Sequence, residues 1–163
     1  MKKIISFILI FSLLISIASM GVYAKSENIV EWKDIYLSQY ELNNMLSSEQ
    51  NETRASGLII KYSIAINRDG NELIIAGMTN CTASVVKCGF KEVVIQRRAN
   101  STQDWVDYVT YEDLYDDNFG YMLSKSLTVA TGYQYRATAI HYAKKNIFST
   151  EKINNTSNTV VFA

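Results

Sequence analysis

From Leu58 to its end, the chain is a series of short apolar runs, separated by turn residues at intervals of roughly ten positions. The runs are rich in Ile, Val, Tyr and Thr, which favour extended backbone. Between the first two runs lies Asp69-Gly70-Asn71, where glycine supplies the positive φ that a tight hairpin turn requires. This spacing is typical of an all-β domain and argues against a helical bundle.

Seven runs are long enough to be strands, and we place them in one domain over residues 57–163. So many short strands with so little helix fit two packed sheets or a small barrel. The predicted strands are 58–67, 72–80, 90–98, 103–111, 121–129, 133–142 and 157–162.

Alternation within 133–142 indicates which side chains face the core. One face carries Tyr133, Tyr135, Ala137 and Ala139, and the other face is polar. Gly132 and the tyrosines that follow it predict a tyrosine corner, in which the Tyr135 hydroxyl bonds back to nearby backbone. The small alanines leave room for larger core partners, which we expect to be Val93, Ile95, Trp105, Leu123 and Leu127.

The first 24 residues differ in composition from the rest. Lys2 and Lys3 precede an apolar run to about Met20, and small residues end at Ala24 before the polar Lys25. This order is that of a secretory signal peptide, and no second apolar span follows it. We therefore expect a secreted, extracellular chain that begins at Lys25 and has no stable membrane span.

Residues 25–56 read as a polar leader and linker between the signal peptide and the domain. Apolar residues recur at three- and four-residue steps over 29–46, and Asn28 with Glu31 resembles a capping box, so we predict an amphipathic helix there. A docking or membrane-surface element and a leader or propeptide segment are both open. The acidic polar face would be repelled by anionic lipid.

The charge balance argues against nucleic acid as a partner. Once Lys2 and Lys3 leave with the signal peptide, 14 basic residues stand against 16 acidic ones. Binding to phosphates needs a concentrated basic face.

The two cysteines, Cys81 and Cys88, lie seven positions apart in a chain that we expect to be secreted. An oxidising compartment and this spacing favour a disulfide between them. Two free thiols are the alternative, because a disulfide needs Cα atoms within about 7 Å of each other. A structural zinc site lacks its full ligand set, since His141 is the chain's single histidine.

Several short motifs resemble a secreted domain family of unknown function that occurs in Gram-positive bacteria, mainly clostridia and bacilli. The resemblance covers about residues 52–163 and implies one immunoglobulin-like or fibronectin-like β-sandwich, with no cofactor or catalytic residue to carry over. The pair Cys81 and Cys88 is not a feature that we expect throughout such a family. The motifs are Glu52-Thr53-Arg54, Gly77-Met78-Thr79, Val94-Ile95-Gln96-Arg97, Trp105, Gly132-Tyr133-Gln134-Tyr135-Arg136 and Ala139-Ile140-His141-Tyr142-Ala143.

No catalytic motif stands out, and we expect no enzymatic activity and no cofactor. His141 falls at the end of the inward-facing alternation, which favours a packed residue over a catalytic one. An acidic turn around Glu112, Asp113 and Asp116 could hold calcium or supply hydrolytic carboxylates, but its spacing does not match the calcium-loop motif.

Exposed aromatics around one strand connection are the better functional lead, because flat aromatic surfaces bind sugars and proteins. The alternative is that alternate members of the set belong to the core. The predicted binding residues are Tyr108, Tyr111, Asp113, Tyr115, Asp116, Asp117, Phe119 and Tyr121.

Three functions stay open at this point. The first is a secreted, non-enzymatic β-sandwich that binds a protein or a cell-wall glycan. The second is a small extracellular hydrolase that uses Glu112, Asp113 and Asp116. The third is a secreted effector from which the leader is removed.

Overall fold

The computed structural model describes residues 30–47, 52–53 and 56–163, and for residues 52–53 the backbone alone. The predicted signal peptide over 1–24 lies outside the described residues. Those residues form one helix and ten strands: β1 Lys33–Asp34, α1 Gln39–Ser47, β2 Glu52–Thr53, β3 Ile59–Asp69, β4 Glu72–Cys81, β5 Lys87–Arg98, β6 Val106–Asp116, β7 Gly120–Thr128, β8 Tyr133–Asn146, β9 Ser149–Thr156 and β10 Val160–Phe162.

The strands form two antiparallel sheets that pack face to face. Sheet A has the order β1-β7-β4-β3-β2, and sheet B has the order β10-β8-β5-β6. Strand β9 also pairs with β8, so that β9 and β10 lie end to end along one edge of it. The all-β sandwich expected from the strand spacing is confirmed, with one short helix added.

The core lies between the sheets and draws on both. Ile64 and Ile75 come from sheet A, and Phe90 and Ile95 from sheet B; all four are fully buried. Gly77 makes room for this contact, because a Cβ there would lie 2.7 Å from Phe90 Cζ. The inward face predicted for β8 is also confirmed: its members from Tyr135 to Ala139 are buried, and Tyr133 is partly buried against the core.

Tyr135 forms the predicted tyrosine corner. Its hydroxyl donates to the carbonyl oxygen of Ala130 at 3.0 Å, which ties the start of β8 to the connection that precedes it.

Trp105 corrects the predicted core. It is partly buried and does not belong to the core cluster. Strand β6 begins only at Val106 and runs to Asp116, so the alternation assumed over 103–111 does not reach Trp105. Its ring packs beneath the guanidinium groups of Arg98 and Arg136 instead.

The last predicted strand, 157–162, is also incomplete. Two strands, β9 and β10, follow β8 where the sequence predicted one, and β9 was missed because its sequence is polar and none of its residues is fully buried. Between them, Ser157 bonds to the Ala137 backbone twice, since Ala137 N–H donates to Ser157 Oγ and Ser157 N–H donates to the Ala137 oxygen, both at 2.8 Å.

The leader helix is shorter than predicted and starts later. The helix predicted over 29–46 is wrong for its first part, where Lys33–Asp34 instead forms strand β1 beside β7. The capping box lies at Ser38 and Glu41: Ser38 N–H donates to Glu41 Oε2 at 2.8 Å, and Glu41 N–H donates to Ser38 Oγ at 3.3 Å. Within the described ranges, no helix is long and apolar enough to cross a membrane.

Helix α1 packs on sheet A. Leu42 and Leu46 are buried in a small cluster with Ala65 and Ala76 of strands β3 and β4. The leader between residues 30 and 47 is thus part of the folded unit.

Candidate functional site

Three loops meet at one end of the sandwich: 82–86, 117–119 and 147–148. Strand pairing brings them together, because Lys87 at the start of β5 pairs with Lys144 near the end of β8. The loops are also tied directly, since Val86 N–H donates to the Lys144 oxygen at 2.8 Å and Cys81 N–H donates to the Phe119 oxygen at 2.7 Å. We call this set of loops the loop end.

Each loop of the loop end presents an apolar side chain to solvent. Val86 is 52% exposed and Phe119 is 59% exposed. The turn between β8 and β9 presents two such side chains in succession, Ile147 at 77% and Phe148 at 92%. Single exposed apolar residues are common, whereas several at one end of a small domain make that end a candidate contact surface.

The β8–β9 hairpin is also basic. Lys144, Lys145 and Lys152 flank its tip, and none of them forms an ion pair with a described residue. Glu151 is the hairpin's one carboxylate, and its Oε2 accepts hydrogen bonds from the N–H groups of Leu58 and Ile59. The hairpin therefore carries three lysines that form no ion pair with a described residue, beside an apolar tip.

Three of the predicted binding tyrosines pack toward the core. Tyr108, Tyr111 and Tyr121 are partly buried against the main cluster. Tyr121 meets Phe90 edge to face with ring centroids 5.8 Å apart, and burial raises the pKa of its hydroxyl. These side chains fit the alternative in which alternate members of the aromatic set belong to the core.

Tyr115, which is partly buried, and Phe119, which is exposed, are the members of the aromatic set that do not pack against the main core cluster. The Tyr115 ring lies beside Tyr142, with centroids 5.3 Å apart, and beneath Lys87 Nζ, 4.9 Å from the centroid. Gly89 lets the backbone of β6 lie close to β5 here, because a Cβ at Gly89 would lie 2.3 Å from the Leu114 carbonyl oxygen and 2.6 Å from Tyr115 Cα.

The predicted acidic residues are exposed and differ in their partners. Asp113 pairs with Lys91, whose hydrogen bond lowers the pKa of the Asp113 carboxyl, and its φ of 57° marks an irregularity in β6. Asp117 pairs with Lys87 at 3.3 Å. Asp116 is exposed and pairs with no described residue.

A second group of polar residues lies buried between the sheets below the loop end. Thr79 Oγ1 donates to the Gly89 oxygen at 3.0 Å. Because a hydroxyl has a single hydrogen, the 2.7 Å contact between Thr79 Oγ1 and His141 Nδ1 is a hydrogen bond that His141 Nδ1–H donates. His141 Nε2 then has no hydrogen-bond partner among the described residues, and burial lowers the pKa of His141 to about 3. The predicted packed role of His141 agrees with this environment.

The cysteine pair lies in the same region. Cys81 is on β4 of sheet A and Cys88 on β5 of sheet B, both are buried, and their sulfurs are 2.6 Å apart. Cys88 Sγ also lies 3.1 Å from the Thr79 oxygen. A bond between these sulfurs would join the two sheets.

Sequence reasoning missed Ile147 and Phe148. The predicted strand ended at residue 142, whereas β8 continues to Asn146. Two adjacent apolar residues after Lys144-Lys145-Asn146 break the alternation of the strand, and this break was the available signal.

Within the described part of the chain, no group of three or more His, Cys, Asp or Glu side chains could hold a metal ion. No known protein family, curated protein or solved structure matches this chain. The resemblance to a secreted Gram-positive family therefore stays a prediction.

Proposed function

We propose that this chain is a secreted, non-enzymatic β-sandwich of the immunoglobulin or fibronectin-like kind, and that it binds a partner protein through the loop end. The exposed pair Ile147 and Phe148 at the hairpin tip is the observation that carries the proposal. Secretion rests on the sequence pattern of residues 1–24.

Strand order supports the immunoglobulin-like or fibronectin-like assignment. Strands β3, β4 and β7 are neighbours in sheet A, and β6, β5 and β8 are neighbours in sheet B, with β9 and β10 together at the edge. The tyrosine corner at Tyr135 is a further feature of such domains.

The side chains at the tip favour a protein partner over a glycan. Ile147 has no flat face on which a sugar ring can stack, whereas Ile and Phe side by side suit an apolar pocket. Lys144 and Lys145 beside the tip form no ion pair with a described residue, and they add a preference for acidic residues around that pocket. We therefore expect the partner to present an apolar pocket with an acidic rim.

The geometry gives less support to the hydrolase. Glu112 and Asp116 lie four positions apart on β6, which would place their backbone positions roughly 13 Å apart in a fully extended strand. Paired carboxylates in glycosidases lie about 5 to 9.5 Å apart. Asp113 lies between them, but its pKa is lowered by Lys91, whereas a general acid needs a raised pKa.

The experiment selects a displayed library of random peptides on the immobilised protein, and compares the wild type with the variant I147S/F148S. We expect the wild type to enrich peptides that combine apolar and acidic residues, and the double variant to lose them. A glycan array probed with the same two proteins decides between protein and glycan.

A matched control removes an exposed apolar side chain elsewhere. Val161 is 52% exposed on β10, which pairs with the opposite end of β8. The V161S variant should retain the peptides. Enrichment that is equal on the wild type and on I147S/F148S, or glycan binding without any peptide binding, would contradict the proposal.

A further inference from the structure

A group of polar and aromatic side chains lies on the outer face of sheet B, at the end opposite the loop end. Arg98 is the last residue of β5, and Arg136 belongs to β8. In the pairing of these strands, Gln96 lies opposite Arg136, and Arg98 lies opposite Gln134. Each arginine therefore has a glutamine of the neighbouring strand beside it.

The two glutamines fix the orientation of the two guanidinium groups. Arg136 Nε–H donates to Gln96 Oε1, and Arg98 Nε–H donates to Gln134 Oε1, both at 2.8 Å. Because each guanidinium is held through Nε, its terminal amino groups are available for another acceptor. Within the described residues, the two guanidinium groups make one further hydrogen bond, from Arg98 Nη1 to the Ser101 oxygen at 3.4 Å.

Trp105 brings the two cations together. The guanidinium carbon of Arg98 lies 4.4 Å from the centroid of the Trp105 ring, and that of Arg136 lies 4.5 Å from it. All three side chains are partly buried. Such stacking stabilises a guanidinium group and immobilises it without using its hydrogen-bond donors.

The positive charge of this pair has no direct counterpart in the described part of the chain. Neither Arg98 nor Arg136 forms an ion pair there. Asp107 Oδ1 is used by Gln96, whose Nε2 donates to it at 2.7 Å. Asp104, next to Trp105 in sequence, is exposed and forms an ion pair with neither arginine.

Among the described residues, four other cations lie over aromatic rings, and two of them differ from this pair because they also form an ion pair. Lys87 lies over Tyr115 and pairs with Asp117. Lys125 lies over Trp32 and pairs with Asp34. Both of these lysines combine ring stacking with a carboxylate, whereas Arg98 and Arg136 share one ring and form no ion pair with a described residue.

Proximity of the two arginines carries an electrostatic cost. Burial and the charge of Arg98 lower the pKa of Arg136. A bound anion would remove this repulsion, and partial burial strengthens its attraction to both cations. Guanidinium groups suit oxyanions because their N–H donors match the two oxygens of a carboxylate, sulfate or phosphate.

We propose that Arg98 and Arg136, held by Trp105, Gln96 and Gln134, form a binding site for an oxyanion group of an anionic ligand. The ligand presents carboxylate, sulfate or phosphate groups to the terminal amino groups of the two arginines. The site is separate from the loop end and does not depend on the function proposed for it.

The experiment follows the fluorescence of Trp105 during titration with three polymers. The chain has two tryptophans, so the variant W32F leaves Trp105 as the single reporter. Polygalacturonate, dextran sulfate and inorganic polyphosphate present carboxylate, sulfate and phosphate, respectively, and neutral dextran is the blank. We expect a saturable change with at least one anionic polymer at physiological salt, and none with neutral dextran.

Substitutions identify the donors. In the W32F background, R98Q and R136Q should each weaken binding by about tenfold or more, as expected for the loss of charge-assisted hydrogen bonds. R98K keeps the charge but loses the planar geometry, and it should also weaken binding.

The matched control is R68Q. Arg68 also lies over an aromatic ring, Phe162, at 4.9 Å, and its loss changes the net charge by the same amount. Binding that R68Q weakens as much as R136Q would reveal attraction to overall charge and would overturn the proposal. An absence of any saturable change with all three anionic polymers would overturn it as well.

Discussion

The indole of Trp32 stacks on the ring of Tyr111, with centroids 3.5 Å apart and ring planes 4° from parallel. Trp32 precedes β1, an edge strand of sheet A, whereas Tyr111 belongs to β6, an edge strand of sheet B. The stack therefore covers the side of the sandwich between these two edge strands. The Tyr111 hydroxyl donates to the Val30 oxygen at 2.8 Å, and burial raises the pKa of Tyr111 to about 12. Tyr111, which the sequence predicted to bind a ligand, thus holds the leader against the sandwich.

This stack should be measurable as a coupling between two residues. In a double-mutant cycle of W32A and Y111A, we expect an interaction free energy of about 1 kcal/mol, typical of a stacked aromatic pair. Urea unfolding of the four proteins measures it. Strictly additive effects would show that the leader does not unfold together with the sandwich.

The buried face of α1 makes a second prediction. L46A should lower the free energy of unfolding by about 2 kcal/mol, because Leu46 is buried against sheet A and its truncation leaves a cavity. N43A, on the exposed side of the same helix, is the control and should change stability by less than about 0.5 kcal/mol. Equal effects of the two substitutions would argue against docking of the helix.

The Tyr135 corner should contribute to stability. Y135F removes the hydroxyl that bonds to the Ala130 oxygen, and we expect a loss of about 1 kcal/mol in the free energy of unfolding. Binding of peptides or polymers should not change, since Tyr135 is buried. Thermal unfolding followed by circular dichroism tests the first expectation, and the binding assays test the second.

His141 predicts a loss of stability in acid. Its pKa is lowered to about 3 in the folded state by burial, whereas an unfolded histidine has a pKa of about 6.5. The unfolded state therefore binds more protons between these values, and the free energy of unfolding falls as the pH falls from about 6.5 toward 3. At pH 4 the loss due to His141 should be roughly 3 kcal/mol.

The variant H141F separates this effect from that of the carboxylates. Phenylalanine cannot be protonated. The free energy of unfolding of H141F should therefore fall less between pH 7 and pH 4 than that of the wild type. Parallel pH dependences of the two proteins would show that His141 is not responsible.

The two cysteines predict a dependence on redox conditions. If the chain is secreted, we expect Cys81 and Cys88 to be joined, because both are buried in the same cluster and face each other across the sheets. Reduction should then lower the free energy of unfolding by roughly 2 to 3 kcal/mol, as expected for a loop of about eight residues. Alkylation and mass spectrometry of the unfolded, unreduced protein count the free thiols, and two labelled cysteines would contradict the expectation.

Local patterns allowed much of the sandwich to be predicted. Alternation identified the buried face of β8, and Asp69-Gly70-Asn71 identified the first hairpin, because both signals arise within a few residues of the chain. The helix signal in the leader was misplaced, since Trp32 recurs at helical spacing with later residues but stacks on Tyr111 of a distant strand. The spacing of apolar residues along the chain cannot predict a contact with a distant strand.

The candidate sites depended on contacts between distant residues. Trp105 looks like a core residue in the sequence, and its place outside the core follows from Arg98 and Arg136, which two other strands supply. The exposure of Phe148 likewise depends on how far the β8–β9 hairpin extends beyond its neighbours.

The sequence by itself determined that this chain forms extended strands with one buried face, because hydrophobic burial at every second residue is a local property. Only the tertiary structure decided which aromatic residues close the sandwich and which reach solvent. That choice depends on the register of each strand, on β9 and β10 sharing one edge, and on the leader joining sheet A. Each of these is an interaction between residues far apart in the chain, and local preference does not fix it.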